Sequence, residues 1–227
     1  MAGSTGKINV YFEIGKKRTF AGAIDWPGWC RSGQNEGSAL HALFEYGARY
    51  EHVVRTSGLG FQSPTSETAF SVIERLEGNA TTDFGAPDAA PLYDKRPVDP
   101  AELGRFRTLL EACWGEFDAT VEAAAGKALR KGPRGGGREL DGIVQHVSNA
   151  DKAYLGRLAW KPGQAGSDDL GQVRQAILSA LELAARGELP ERGPHGGKIW
   201  GPRYFVRRVA WHVLDHAWEI EDRVQNE

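Results

Sequence analysis

The 227-residue sequence predicts an α+β protein in two parts, a small strand-and-helix unit followed by a four-helix bundle. Three observations predict it. Near the start, Ile8-Asn9-Val10-Tyr11-Phe12-Glu13-Ile14 places an apolar residue at every second position, the period of a half-buried strand. From Asp99 onward, apolar residues recur at spacings of three and four in four successive segments, the period of helices that bury one face. Between these regimes the composition shifts to Ala, Pro, Asp and Thr, with prolines at 87, 91, 97 and 100. Residues 1–80 therefore read as the first unit, 81–98 as a linker and 99–227 as the bundle.

Within the first unit, Gly15 and the basic residues after it turn the chain, and Thr19 to Ile24 returns as the second strand of a hairpin. Asp25-Trp26-Pro27-Gly28-Trp29 breaks the pattern, because proline removes a donor and glycine permits a tight turn. One helix is expected from Glu36 to Arg55, with Asn35 as its N-cap, and it ends at Gly58-Leu59-Gly60. Phe70 to Leu76, partly β-branched, reads as a further strand. The predicted unit is β-β-α-β.

The bundle opens on Asp99-Pro100-Ala101-Glu102: a capping carboxylate, proline at the first helical position, and a glutamate placed to reach back. Leu103, Phe106, Leu110, Cys113, Phe117, Val121 and Ala124 mark the buried stripe of this helix. A glycine-rich stretch at 132–137 stops it. The second helix runs from Arg138 to Ala159 on Ile143, Val147, Ala150, Tyr154 and Leu158. Pro162 and Gly163 stop that one, and Ser167 is expected to cap a third, carried by Leu170, Val173, Ile177, Leu181 and Ala184 and closed at Gly187. Pro202 starts the fourth, which buries Val206, Val209, Val213, Ala217, Ile220 and Val224. Four amphipathic helices of similar length fit a four-helix bundle.

Composition narrows the function classes. A net charge of −2 gives no overall basic field for gathering nucleic acid, and no nucleic-acid partner is expected. The two cysteines, Cys30 and Cys113, stand far apart and provide neither a disulfide framework nor a cysteine-built zinc site. No run of the ~18 apolar residues needed to span a bilayer occurs, and nothing near Met1 resembles a signal peptide, so a cytoplasmic protein without a membrane partner is expected. There is no Gly-x-Ser-x-Gly elbow, no Gly-Lys-Ser/Thr phosphate loop and no Gly-x-Gly-x-x-Gly after a strand.

Of six histidines, His41, His52 and His195 sit among exposed-looking residues, and a surface or loop position is expected for each. The other three point to chemistry. His212 and His216, four residues apart, stack on one side of the fourth helix beside the stripe through Val209, Val213 and Ile220. His146 borders the stripe of the second helix, so side chains from two helices can converge on one interior point. A helical His-x-x-x-His pair also arises by chance, and Val213 stands where a His-Glu-x-x-His protease would need its glutamate.

Two stretches carry a family resemblance. Ile143-Val144-Gln145-His146-Val147-Ser148-Asn149-Ala150-Asp151-Lys152-Ala153-Tyr154 resembles the second helix of the DinB/YfiT-like superfamily, and Arg208-Val209-Ala210-Trp211-His212-Val213-Leu214-Asp215-His216-Ala217-Trp218-Glu219-Ile220 resembles its fourth. The resemblance covers about residues 99–227. It implies a DinB-like four-helix bundle with one divalent metal ion held by His146, His212 and His216, zinc first and nickel or iron next. Three imidazoles leave coordination positions open, as catalytic sites do. Characterised members include transferases and isomerases that use a low-molecular-weight thiol such as mycothiol or bacillithiol. The resemblance thus implies a metal-dependent, thiol-dependent transferase or isomerase with a small-molecule substrate. Tyr11-Phe12-Glu13-Ile14, the return strand and Pro27-Gly28-Trp29-Cys30-Arg31-Ser32-Gly33 resemble, over about residues 6–60, the HicB-like antitoxin fold, without its DNA-binding element.

Further candidates surround the histidines. Glu219 is placed either to orient an imidazole or to pair with Arg223, and it stands with Tyr154 as a candidate catalytic residue. Arg208, one turn before His212, is the candidate for holding an anionic substrate, while Arg207 is expected to face solvent. Trp211 and Trp218 read as core or interface aromatics. Two other function classes stay open: a non-catalytic metal-containing binding or stress-response protein, and an antitoxin-like regulator acting through protein partners. A homodimer is left open as well.

Overall fold

The computed structural model describes residues 7–131, 137–159, 169–190, 192–193 and 199–225. The chain is a mixed α+β protein with a four-stranded sheet and, among the described residues, seven α-helices. It divides into two compact units, Met1–Arg96 and Pro97–Glu227.

In the first unit, β1 (Ile8–Ile14) and β2 (Thr19–Ala23) form the expected antiparallel hairpin, Val10 opposite Ala23 and Ile14 opposite Thr19. A strand the pattern did not announce, β3 (Cys30–Gly33), pairs antiparallel with β2. Its Cys-Arg-Ser-Gly sequence has no alternation to read. The expected single helix from Glu36 to Arg55 is instead two, α1 (Glu36–Glu45) and α2 (Gly47–Val54), with the break at Tyr46. Gly47 accounts for it: a Cβ there would lie 2.5 Å from Ser63 Oγ and 3.3 Å from Pro64 Cδ, so the chain bends where backbone and loop approach closely. Strand β4 (Phe70–Glu77) then pairs parallel with β1, giving the order β3-β2-β1-β4.

An aromatic core closes this unit. The Trp29 ring stacks on Tyr50 with centroids 5.8 Å apart and meets Phe61 edge-on at 5.0 Å, and its indole N–H donates to the Leu43 carbonyl at 2.9 Å. The span 81–98 is more than a connection. Helix α3 (Ala80–Phe84), with an Asn79–Thr82 capping box, occupies its start. The buried Glu13 carboxylate accepts from the Thr82 hydroxyl and from the backbone amides of Asp88 (2.8 Å) and Ala89 (3.0 Å), fastening this stretch to β1.

Among the described residues, the second unit consists of four α-helices packed on one another. α4 (Pro100–Ala124) is capped by Asp99, whose carboxylate accepts from the Glu102 amide at 2.8 Å. The Glu102 side chain does not reach back to complete a capping box. It pairs instead with Arg203, which also donates to the Pro97 carbonyl at 2.7 Å. α5 (Leu140–Arg157) buries Ile143 and Val147 as predicted, whereas Ala150 and Tyr154 are only half-buried. α6 (Leu170–Ala185) takes Asp169 as its cap; Ser167, expected in that role, lies outside the described residues. α7 (Pro202–Arg223) is the central helix, with sixteen of its 22 residues buried. No helix among the described residues is long and apolar enough to cross a membrane.

Candidate metal centre

The packing of α5 against α7 brings three histidines together. Periodicity sets their direction: His146 lies beside buried Ile143 and Val147, and His212 and His216 lie beside buried Val209, Val213 and Ile220. One ring nitrogen from each falls within 4.8 Å of the others. The Nε2 atoms of His146 and His212 are 3.3 Å apart, and the His216 ring stands 4.7 Å from His212 and 4.9 Å from His146 by centroid. His212 is buried; the other two are half-buried, leaving the cluster open on one side.

The donor set fits a divalent ion on two grounds. Ligands at ~2.0–2.1 Å from a tetrahedral ion are separated by about 3.3–3.4 Å, which the His146–His212 pair matches. Two of the imidazoles, His146 and His212, are also biased to the neutral, ligating form. Burial pushes the His212 pKa well below its ordinary value, helped by His216, His146, Arg208 and Arg138; burial lowers that of His146, helped by His216 and Arg138. Among the described residues this is the one group of three or more His, Cys, Asp or Glu side chains placed to hold an ion.

Behind the cluster, Glu219 makes both contacts that its position allowed. One carboxylate oxygen is 2.8 Å from His216 Nδ1 and the other accepts from Arg223 Nη1 at 2.6 Å. The hydrogen bond to His216 holds the Glu219 carboxyl below its usual range, so it is ionised, and Nδ1 must carry the proton. Nε2 of His216 is then the nitrogen left for an ion. His212 has no such support: its buried Nδ1 has no hydrogen-bond partner.

On the other flank, Arg208 Nη2 lies 3.4 Å from the Tyr154 hydroxyl, and the Tyr154 ring stands edge-on to His212 at 5.7 Å. Both candidates thus border the centre. Trp200, which the sequence did not single out, packs on Tyr154 at 5.3 Å. Arg207 is buried, not solvent-facing as expected, because α7 is enclosed on nearly all sides. Trp211 and Trp218 are buried. His41 and His52 are exposed, His41 pairing with Glu67 at 2.7 Å, and His195 lies outside the described residues.

A buried carboxylate was missed. Asp151 of α5 is fully buried, near Trp114 and Arg174, and neither of its oxygens completes a hydrogen bond. The signal was available: Asp151 stands four residues after Val147 and eight after Ile143, inside the apolar stripe.

Comparison of the chain with protein-family models, with curated proteins and with solved structures returns no match.

Proposed function

We propose that this chain holds one divalent metal ion with His146, His212 and His216 and acts as a metal-dependent enzyme of the DinB type, a thiol-dependent transferase or isomerase working on a small molecule. The observation that carries the reading is the convergence of three ring nitrogens, from α5 and α7, within 4.8 Å. Zinc is the first choice, with nickel and iron as alternatives, since imidazole suits all three. Bound there, such an ion would acidify a water or hold a thiol as its thiolate. The chain's own residues do the rest. Glu219 orients His216, Tyr154 and Arg208 flank the cluster beside His212, and Arg208 supplies positive charge where an anionic group would be held. The first unit, with its hairpin, helices and parallel β4, we read as HicB-like in form but not as a toxin-binding or DNA-binding module. A cytoplasmic setting goes with this reading.

The test is elemental analysis of protein purified without a histidine tag, beside His212→Ala and His216→Ala. One ion per chain, lost in both variants, is expected. A wild type that binds no zinc, nickel, iron or cobalt after incubation would overturn the metal reading. With cobalt in place, a change in the visible spectrum on adding mycothiol or a related thiol separates the enzyme from a metal-containing binding protein, which predicts no change. A stable complex with a protein partner that survives metal removal would favour the regulator.

A further inference from the structure

Arg223, at the last turn of α7, is more than the partner of an exposed ion pair. Its guanidinium is buried, and three different acceptors take its N–H groups. Nη1 donates to Glu219 at 2.6 Å, Nε to the Arg130 carbonyl at 2.8 Å and Nη2 to the Arg138 carbonyl at 2.9 Å. Those carbonyls lie on either side of the connection between α4 and α5. The backbone closes the same contact from the other direction: the Arg130 amide donates to the Arg223 carbonyl at 2.7 Å, the Gln225 amide donates to the Ala128 carbonyl at 3.0 Å, and Leu129 bridges to Val224.

Gly137 completes the enclosure. Its φ is 143°, a conformation that side chains disfavour, and a Cβ there would lie 2.6 Å from Arg223 Nη2 and 2.9 Å from Cζ. The guanidinium occupies the space a side chain would need. An i,i+4 carboxylate–arginine pair on a helix surface requires none of this and contributes only a few tenths of a kcal/mol.

We propose that Arg223 is a positioning residue for the His146–His212–His216 centre: it fixes Glu219, and through it the ring and tautomer of His216, to the backbone on both sides of the α4–α5 connection, with Gly137 kept free of a side chain for that purpose. The purpose rests on the metal reading, but the first consequence does not. The Glu219 carboxylate, about one-third exposed, loses the anchor that holds it against solvent once the arginine is gone, and its hold on His216 loosens with it. His216 then loses the acceptor that keeps its proton on Nδ1 and its Nε2 lone pair directed at the cluster.

The experiment has two readouts, the His216 tautomer by long-range ¹H–¹⁵N NMR on metal-free protein, and the affinity and visible spectrum of added Co²⁺. Wild type is expected to show His216 protonated on Nδ1. Arg223→Met and Gly137→Ala are expected to give a tautomer mixture, Co²⁺ affinity lower by roughly 10–100-fold and a shifted spectrum. Gly137→Ala is the sharper variant, since it changes neither a ligand nor Glu219. Arg223→Lys retains a charge for Glu219 but not the forked backbone contacts, so it gives an intermediate shift even where Arg223→Met fails to fold. Wild-type tautomer in folded Arg223→Lys and Gly137→Ala would overturn the proposal, whatever the metal does. A tautomer change in a protein that binds no ion would uphold the positioning role and sink the metal reading alone.

Discussion

His146 and His212, 66 residues apart in the chain, face one another through their Nε2 atoms at 3.3 Å. At that distance one Nε2–H can donate to the other ring's lone pair, and with both protons on Nδ1 the two lone pairs would instead meet on a cation held between the rings. His146→Ala and His212→Ala are therefore each expected to lose the ion. Because an ion that binds the folded chain stabilises it by mass action, removing it with a chelator should also lower the melting temperature of wild type but of neither variant. Differential scanning calorimetry with and without chelator checks this; equal shifts in all three proteins would contradict it.

Glu219 should act through His216. Glu219→Ala is expected to weaken metal binding by roughly 10–100-fold, and Glu219→Gln, whose amide oxygen still accepts from Nδ1, by less. Competition with a chromogenic chelator measures both. Identical losses for Ala and Gln would mean that charge, not the hydrogen bond, is what the site uses.

The buried Asp151 gives a pH dependence with a definite sign. Burial pushes its carboxyl up to about 7, against partial relief from Arg174 and Trp114. A raised folded-state value means its contribution is most favourable below the ordinary carboxylate range and is lost as pH rises toward about 7, where the folded protein must finally bury the charge. Asp151→Asn removes that penalty. Its unfolding free energy should be flatter over this range and exceed wild type at pH 8 by on the order of 4 kcal/mol, the free-energy equivalent of a carboxyl raised from 3.8 to about 7. Urea melts at pH 5 and pH 8 decide, and equal slopes with pH in the two proteins would refute it.

Removing Glu102 should cost more than a surface pair would. Arg203 is buried, and Glu102 is its carboxylate partner across α4 and α7. Glu102→Ala takes the carboxylate from a buried guanidinium that also donates to the Pro97 carbonyl, and is expected to destabilise by roughly 2–4 kcal/mol. A melting temperature within a degree of wild type would show the pair to be dispensable.

The sequence announces an element where one physical signal dominates it. Alternation marks β1, and apolar spacing with proline and glycine stops marks α4 through α7. Strand β3 is fixed by its pairing with β2, a long-range cause with no local trace in Cys-Arg-Ser-Gly. The break at Tyr46 follows from the close approach of Gly47 to Ser63, again tertiary, and the capping glutamate Glu102 was taken by a partner 101 residues away. At the site, the spacing of His212 and His216 and the phase of His146 were readable. Arg223 as a clamp was not, because its partners are backbone carbonyls, which no side-chain pattern records.

Helix α7 is the last of the four to leave the ribosome, and it carries two of the three histidines as well as the most enclosed surface of its unit. While α4, α5 and α6 are being made, His146 stands alone and offers a passing ion a single weak ligand. The apolar faces awaiting α7 stay uncovered through the same interval. On the proposed metal reading, the ligand set and the enclosure of the unit are completed by one event, the docking of α7.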